Sequence, residues 1–254
     1  MILAIDVGNT NIVLGCIDDQ KVYFTERVST DPAKTELEYA VAVKTVLELY
    51  NIRKEDITGA VISSVVPPLN GIFSSAINKL LNVKPIIVGP GVKNGLNILM
   101  DNPKQLGADL VVDAVAGIHE YGAPLIIVDM GTATTICVID RNKNYIGGVI
   151  IPGVHVSLDS LTSKTSQLPK ISLGHPKKVI CTNTIDSMES GMVFGQASCL
   201  DGMIERMEAE LGYPATVIAT GGLAKIIVPH CKRKIILDDY LLLKGLKIIY
   251  DKNH

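Results

Sequence analysis

Two stretches half a chain apart share one pattern, and this repeat constrains the fold more than any other feature. Residues 2–18, ILAIDVGNTNIVLGCID, run from an apolar segment through a polar turn into a second apolar segment. Residues 125–140, LIIVDMGTATTICVID, do the same. Asp6 and Asp129, which begin the two turns, lie 129 − 6 = 123 residues apart in a chain of 254. The simplest interpretation is two similarly built halves, each opening with a strand, a turn and a strand.

Apolar strand patterns alternate with helical patterns in both halves. Each half is predicted to contain three strands, a helix, a further strand and a helix, which gives an α/β fold with mixed sheets flanked by helices. We predict strands at 2–6, 11–17, 21–28, 57–68, 84–89, 125–129, 134–140, 145–153, 177–182, 215–220 and 233–237, and helices at 35–50, 69–81, 104–122, 154–165, 187–211 and 240–250.

The boundary between the halves is predicted near residues 117–124, which divides the chain into domains 1–118 and 119–254. The segment 89–103, GPGVKNGLNILMDNP, is rich in glycine, asparagine and proline and is predicted to be a loop. Loops of this length are often functional.

Composition excludes several classes of function. Hydrophobic residues make up 47% of the chain and charged residues 20%, as in a globular protein. The 24 basic and 26 acidic residues give a formal net charge of −2 with no run of like charges longer than three residues, which disfavours a nucleic acid or an anionic membrane as a partner. The apolar start is too short for a signal peptide and no apolar window is long enough to span a bilayer, so we expect a cytoplasmic protein.

Neither cysteines nor histidines form a recognisable metal or redox motif. The five cysteines are odd in number and at least 18 residues apart, and the histidines include no pair at ligand spacing. Cys16, Cys137 and Cys199 lie among apolar residues and are expected to be small buried hydrophobic groups. The candidate chemistry therefore lies in the two repeated turns.

Turns of this composition can bind phosphate. Gly with Asn or Thr exposes backbone N–H groups and hydroxyls for phosphate oxygens, and an aspartate at the strand end can hold a divalent cation or its water. These residue types are also common in ordinary hairpins, so one turn alone decides little. Two such turns facing each other would bind ATP with magnesium from both sides. A third element, VIATGGLAK at 217–225, places Gly221 and Gly222 where a base and ribose could lie on the backbone.

The order of these elements resembles the fold shared by actin, sugar kinases and the Hsp70 ATPase domain. Within that superfamily, nearly the whole chain is similar to type III pantothenate kinase. The residues that carry the resemblance are DVGNTN at 6–11, SSVVPP at 63–68, GLN and NP within 95–103, GAD at 107–109, DMGTATT at 129–135, GGVIIPG at 147–153, NT at 183–184 and TGGLA at 220–224.

The resemblance implies two RNase H-like domains with a cleft between them. It implies transfer of the γ-phosphate of ATP to the primary hydroxyl of pantothenate, the first step of coenzyme A biosynthesis. It further implies a homodimer, Mg²⁺ with ATP, and a monovalent cation such as K⁺ or NH₄⁺.

The resemblance also implies roles for individual residues. Asp109 in the GAD motif is the expected catalytic base, although an aspartate at a helix start can simply complement the helix dipole. Asp6 is expected to organise the divalent metal and Asp129 to lie near the monovalent cation. The expected ATP-binding residues are Gly8, Asn9, Thr10, Asn11, Gly131, Thr132, Ala133, Thr134, Gly221 and Gly222, and the expected acceptor-binding residues are Met100, Gly107, Ala108, Leu110 and Thr184, the last reaching the neighbouring subunit's pocket.

Two departures from the family pattern fall on the acceptor side. The family motif normally has arginine after GAD, where this chain has Leu110, and usually has tyrosine before the (D/E)NP triplet, where it has Met100. Each lost polar contact typically costs about 1–3 kcal/mol. The sequence leaves open a pantothenate kinase with altered contacts, a kinase for a related acceptor, a nucleotide-binding regulator without efficient turnover, and a hydrolase that uses water as the nucleophile.

Overall fold

The computed structural model describes all residues 1–254, which form two compact α/β units. In chain order the strands are β1 (Ile2–Val7), β2 (Asn11–Ile17), β3 (Val22–Ser29), β4 (Gly59–Ser64), β5 (Ile86–Ile87), β6 (Asn97–Ile98), β7 (Leu125–Met130), β8 (Ala133–Ile139), β9 (Asn144–Pro152), β10 (Thr216–Thr220) and β11 (Ile236–Leu237). The helices are α1 (Glu36–Leu49), α2 (Pro67–Leu81), α3 (Ala108–Tyr121), α4 (Val154–Ser163), α5 (Thr184–Leu211), α6 (Ala224–Ile227) and α7 (Leu241–Asp251).

The two sheets repeat one strand order, which confirms the predicted internal duplication. The first sheet runs β3-β2-β1-β4-β5. The second contains β9-β8-β7-β10-β11 in the same arrangement, with β6 added beside β9. In each, the first three strands are antiparallel and the fourth lies parallel to the first. The chain therefore builds the same mixed sheet twice.

Burial along the opening strands is also repeated. In β1 and β7 the first four residues are buried, the aspartate in fifth place is half-buried and the sixth residue is buried. β2 and β8 share a second pattern, in which the final four residues are all buried. Continuous burial of this kind requires packing on both faces of the sheet, which the flanking helices provide. Asp6 and Asp129 thus occupy equivalent positions at the ends of buried strands.

Local sequence explains the first helix of the first unit. The Thr35 side chain accepts from the Glu38 N–H and the Glu38 carboxylate accepts from the Thr35 N–H, a capping box that satisfies two free donors at the helix start. Tyr39 on this helix packs against Phe73 on α2, with ring centroids 4.4 Å apart. None of the helices in the chain is both long enough and apolar enough to cross a lipid bilayer.

The strand predicted at 177–182 is wrong. These residues form no regular structure, and α5 begins at Thr184, a few residues before the predicted start. Val179 and Ile180 are 66% and 84% exposed, so this apolar pair does not enter the sheet. β9 pairs with β6, a two-residue strand within the predicted loop 89–103. Periodicity cannot show which distant segment reaches a sheet edge first.

The C-terminal helix belongs to the first unit, unlike in the predicted division at 118/119. The first unit comprises Met1–Leu96, Asp101–His119 and Tyr240–His254, and the second comprises Asn97–Met100 and Glu120–Asp239. On α7, the Leu243 side chain packs directly over Gly15 of β2, where a Cβ would collide with it. An apolar helix face is held by the sheet that buries it rather than by its neighbours in sequence.

Candidate functional site

The first turn is a tight hairpin whose tip is exposed. The Gly8 N–H donates to the Asn11 carbonyl at 3.1 Å and closes the turn. Thr30, directly after β3, supports it from the side, because its hydroxyl donates to the Gly8 carbonyl at 2.6 Å and its N–H to the Thr10 carbonyl at 3.0 Å. Asn9, Thr10 and Asn11 are exposed at the tip. The turn therefore presents polar atoms on a braced backbone, as a phosphate-binding loop requires.

The second turn follows the same plan with one residue fewer. Four residues, 8–11, separate the paired Val7 and Ile12, whereas three, 131–133, separate the paired Met130 and Thr134. Gly131 donates its N–H to the Ala133 carbonyl at 3.1 Å.

The exposed residues of the second turn are Gly131, Thr132 and Ala133. Thr134 is fully buried, and its hydroxyl oxygen has no hydrogen-bond partner. The side chain of Thr132, rather than that of Thr134, is the one that this turn presents to solvent.

The late glycine turn packs onto the second phosphate turn. Gly221 has a φ of +94°, which a residue with a side chain rarely adopts. A Cβ at this position would lie 2.6 Å from both Asp129 Oδ1 and the Met130 nitrogen. The structure thereby brings together two of the three predicted nucleotide elements within the second unit. Gly153 of the GGVIIPG motif also packs against this turn, over the Thr132 and Gly131 carbonyls.

The two strand-end aspartates have different lateral neighbours. Asp6 pairs in register with Val13 on β2 and with Ser63 on β4. Asp129 pairs with Thr135 on β8 and Thr220 on β10. Side chains directly opposite each other on adjacent strands share one face of the sheet. Asp129 is therefore flanked by two hydroxyl-bearing residues and Asp6 by one.

The residues at the first turn fit a divalent cation held jointly with a nucleotide. No group of three or more His, Cys, Asp or Glu side chains is arranged to hold a metal ion alone. Mg²⁺ bound with ATP usually keeps several waters and uses only one or two protein carboxylates with the phosphates. The half-buried Asp6 carboxylate beside an exposed polar turn supplies a donor set of that kind.

Asp109 lies at the start of α3, as predicted. Its Oδ1 accepts the Leu110 N–H at 2.8 Å, and the carboxylate lies over Gly107, where a side chain would collide with it. Burial raises the pKa of Asp109, while the Leu110 N–H opposes that rise. A carboxylate with a raised pKa is a stronger base than an ordinary aspartate.

The end of β4 links Asp109 to the first turn. The Val65 N–H donates to the Val7 carbonyl at 3.0 Å. The Val65 side chain also lies 3.5 Å from the position that a Cβ on Gly107 would take. Val65 thus lies between the GAD segment and the end of β1, directly before the first turn.

The remaining acceptor residues are distributed over both units. Ala108 and Leu110 adjoin Asp109 on α3 in the first unit and are half-buried. Met100 follows β6 in the second unit, where the neighbouring Leu99 N–H donates to the Tyr145 carbonyl at 2.8 Å. Thr184 is the exposed first residue of α5, directly after its N-cap Asn183.

Sequence reasoning assigned no role to Ser63, Thr135, Thr220 or Gly153, which the structure places against the predicted elements. The first three lie in apolar runs, where a single hydroxyl looks like an ordinary strand residue. Ser63, Thr135 and Thr220 do lie within the motifs SSVVPP, DMGTATT and TGGLA, which could have singled them out. The sequence does not show which residues of neighbouring strands pair with the two aspartates.

Comparison with known proteins decides the family. The family model of type III pantothenate kinase matches residues 2–206. The chain belongs to the type III pantothenate kinase family. It is 49% identical over 253 residues to the type III pantothenate kinase of Halalkalibacterium halodurans, with 100% of each chain covered. It is 47% identical over 253 residues to that of Geobacillus sp., covering 100% of this chain and 98% of the relative.

Solved structures confirm the predicted fold class. Component A of (R)-2-hydroxyglutaryl-CoA dehydratase from Acidaminococcus fermentans superimposes with a TM-score of 0.56 at 16% identity, covering 98% of this chain and 96% of that one. At this identity the likeness concerns the fold alone. The chain therefore shares an α/β fold with that protein, with two mixed sheets flanked by helices as predicted.

Proposed function

We propose that this chain transfers the γ-phosphate of ATP to the primary hydroxyl of pantothenate, the first step of coenzyme A biosynthesis, and that Asp109 is the catalytic base. Family membership supports the reaction, and nothing in the structure or the relatives favours a regulator, a hydrolase or another acceptor. The observation that carries the residue assignment is the half-buried Asp109 carboxylate over Gly107, because Val65, which also lies near Gly107, donates its N–H to Val7 directly before the first turn.

The two turns and the glycine pair are the proposed ATP site. Gly8, Asn9, Thr10 and Asn11 bind phosphate oxygens from the first unit. Gly131, Thr132, Ala133 and Thr134 do so from the second, where Thr134 contributes through its backbone because its side chain is buried. Gly221 and Gly222 accommodate the adenosine. The exposed tips of both turns and the tight packing of Gly221 on Asp129 support this assignment.

Asp6 is the proposed protein ligand of the divalent metal or its water. When bound, the metal neutralises charge on the phosphates, which is the main requirement of phosphoryl transfer. The protein contributes by holding the Asp6 carboxylate at the end of a buried strand beside the turn.

Asp109 is proposed to accept the proton of the pantothenate hydroxyl. Its Oδ1 is held by the Leu110 N–H, which leaves Oδ2 to take the proton as the oxygen attacks the γ-phosphate. Burial raises the pKa of the carboxyl and brings it closer to neutrality, where a general base is most effective.

The acceptor site is proposed to comprise Met100, Gly107, Ala108, Asp109 and Leu110 with Thr184 of the neighbouring subunit, so that the working form is a homodimer. Leu110 and Met100 supply apolar contacts where the family has arginine and tyrosine. Each missing polar contact would weaken acceptor binding by about 10-fold to 100-fold.

A monovalent cation, K⁺ or NH₄⁺, is proposed near Asp129. The registered neighbours Thr135 and Thr220 are hydroxyl-bearing, and the Thr135 hydroxyl oxygen is buried without a hydrogen-bond partner. A carboxylate with neutral oxygens suits a singly charged, oxygen-preferring ion.

A cytoplasmic location is proposed as well, because ATP is available there.

ADP release measured by a coupled assay tests the proposed reaction. Release that requires pantothenate supports the kinase, release without an acceptor indicates the hydrolase, and absence of release indicates the regulator. Asp109→Asn should abolish pantothenate-dependent release while leaving ATP affinity nearly unchanged. Surviving turnover in this variant would show that Asp109 is not the base.

A further inference from the structure

Ser63 is a buried polar residue in an otherwise apolar strand. It is 0% exposed, and its hydroxyl oxygen has no hydrogen-bond partner. The preceding β4 residues Ala60, Val61 and Ile62 are all fully buried and apolar. A buried hydroxyl without a partner costs about 1–3 kcal/mol relative to a satisfied one. Alanine would fill this position at lower cost, so packing does not explain the serine.

Register places Ser63 directly opposite Asp6. β1 and β4 are parallel, and Asp6 pairs with Ser63. Adjacent strands lie about 4.8 Å apart, and registered side chains share one face of the sheet. A hydroxyl and a carboxylate in this relation are close enough to form a hydrogen bond after a rotation about the serine side chain.

The second unit repeats the arrangement independently. β7 and β10 are parallel, and Asp129 pairs with Thr220, which is 6% exposed. On the opposite side, the residues paired with the two aspartates differ, with Val13 in one unit and Thr135 in the other. The buried hydroxyl on the parallel strand is therefore the shared feature beside the two carboxylates.

Ser63 also lies between the two parts of the first-unit site. Two residues after it, Val65 donates its N–H to the Val7 carbonyl and contacts the Gly107 position. This placement makes Ser63 a candidate for aligning groups rather than for reacting with substrate.

We propose that Ser63 is a positioning residue whose hydroxyl donates a hydrogen bond to the Asp6 carboxylate when Asp6 takes up the divalent ion with the nucleotide. The inference rests on the proposed role of Asp6. The hydrogen bond fixes the orientation of the carboxylate before the ion binds. The entropy lost on binding is therefore smaller, and the affinity for the ion is higher. Ser63 contributes to metal affinity without contacting the acceptor.

Titration of Mn²⁺ in the presence of ADP, followed by electron paramagnetic resonance, tests this role without measuring turnover. Ser63→Ala should weaken Mn²⁺ binding to the protein–ADP complex about 10-fold, the effect of one lost hydrogen bond. ADP affinity measured by calorimetry without metal should stay within about 2-fold of the wild type. Ser63→Thr, which retains the hydroxyl and matches position 220, should bind Mn²⁺ more tightly than Ser63→Ala.

Thr25→Val is the matched control. The Thr25 hydroxyl oxygen on β3 is also buried without a partner, but Thr25 pairs with Gly15 rather than with an aspartate. This variant should bind Mn²⁺ like the wild type. Unchanged Mn²⁺ binding in Ser63→Ala, or an equal loss in Thr25→Val, would overturn the proposal.

The test separates this inference from the proposed function. If the wild type binds Mn²⁺ with ADP but does not phosphorylate pantothenate, the proposed reaction fails, whereas a 10-fold loss in Ser63→Ala still supports the positioning role. If the protein phosphorylates pantothenate and Ser63→Ala binds Mn²⁺ normally, only the positioning role fails.

Discussion

The Tyr121 hydroxyl donates a 2.8 Å hydrogen bond to Asp238 Oδ2 within the second unit. Tyr121 lies near the point where the chain enters this unit, and Asp238 lies next to the point where it leaves. The bond therefore ties together the two ends of segment Glu120–Asp239. Asp238 is 6% exposed, and its N–H donates to the Ala219 carbonyl of β10 at 2.9 Å.

Tyr121→Phe should lower the free energy of unfolding by roughly 1–3 kcal/mol, because it removes a donor from a buried carboxylate. Chemical denaturation at pH 8 measures this loss. Tyr213→Phe is the control, since Tyr213 packs against the Arg141 guanidinium through its ring and phenylalanine keeps that contact. An equal loss in both variants would show that the Asp238 bond contributes nothing specific.

The same bond gives a prediction for alkaline pH. Burial, together with the hydrogen bond to Asp238, raises the pKa of Tyr121 from 10.0 to about 12. Because the pKa is higher in the folded state, this contribution to stability is fully present below pH 10 and is lost as the pH rises toward 12. The difference in unfolding free energy between wild type and Tyr121→Phe should be constant from pH 7 to 9 and shrink above pH 10. A difference that grows above pH 10 would contradict this assignment.

Gly221→Ala should destabilise the protein by at least about 1 kcal/mol, because the residue has positive φ and a Cβ would collide with Asp129 and Met130. It should also weaken ATP binding, measured by calorimetry. Gly71→Ala on α2 is the control, since nothing lies within 4 Å of the Cβ position there and alanine favours a helix. Normal stability and ATP affinity in Gly221→Ala would remove this turn from the nucleotide site.

Asp109→Asn should raise the melting temperature at pH 7 although it abolishes turnover. Burial raises the pKa of Asp109, so the ionised carboxylate costs folded-state stability above its ordinary pKa of 3.8. The gain should be largest near neutral pH and vanish as the pH falls below 3.8. Asp159→Asn, at an exposed position on α4, removes the same charge without relieving burial and should change the melting temperature little. A lower melting temperature in Asp109→Asn would mean that the carboxylate is structural.

Leu110→Arg should lower the KM for pantothenate by about 10-fold, because it restores a charged donor beside Asp109. The KM for ATP should not change. Leu110→Met, which retains an apolar side chain of similar volume, should leave both values near those of the wild type. An unchanged or higher KM for pantothenate in Leu110→Arg would show that another residue already fills the arginine's role.

Local pattern was sufficient for much of this fold. The turns after Asp6 and Asp129, the helix predicted at 35–50 and the long helix ending at Leu211 follow from apolar runs around polar turn residues and from helical spacing. The duplicated sheet followed from the repeated turn. These features depend on residues that are close in sequence, which is why the pattern predicts them.

The features that were missed depend on distant contacts. Residues 177–182 have a strand composition, but they pair with no strand, and Val179 and Ile180 are exposed. The apolar face of α7 is buried by the first sheet, at Gly15, although the helix follows the second unit in sequence. Ser63 gains significance only through its register with Asp6. Whether a segment finds a strand partner, which sheet a helix packs on and which residues pair across strands all depend on the folded chain as a whole.

A crystal structure with a non-hydrolysable ATP analogue and Mg²⁺ tests the central claim most directly. We predict one triphosphate whose oxygens accept hydrogen bonds from both turns, 8–11 and 131–134, with the metal or its water on Asp6. A nucleotide that contacts only one turn, or two turns directed at separate surfaces, would contradict the account.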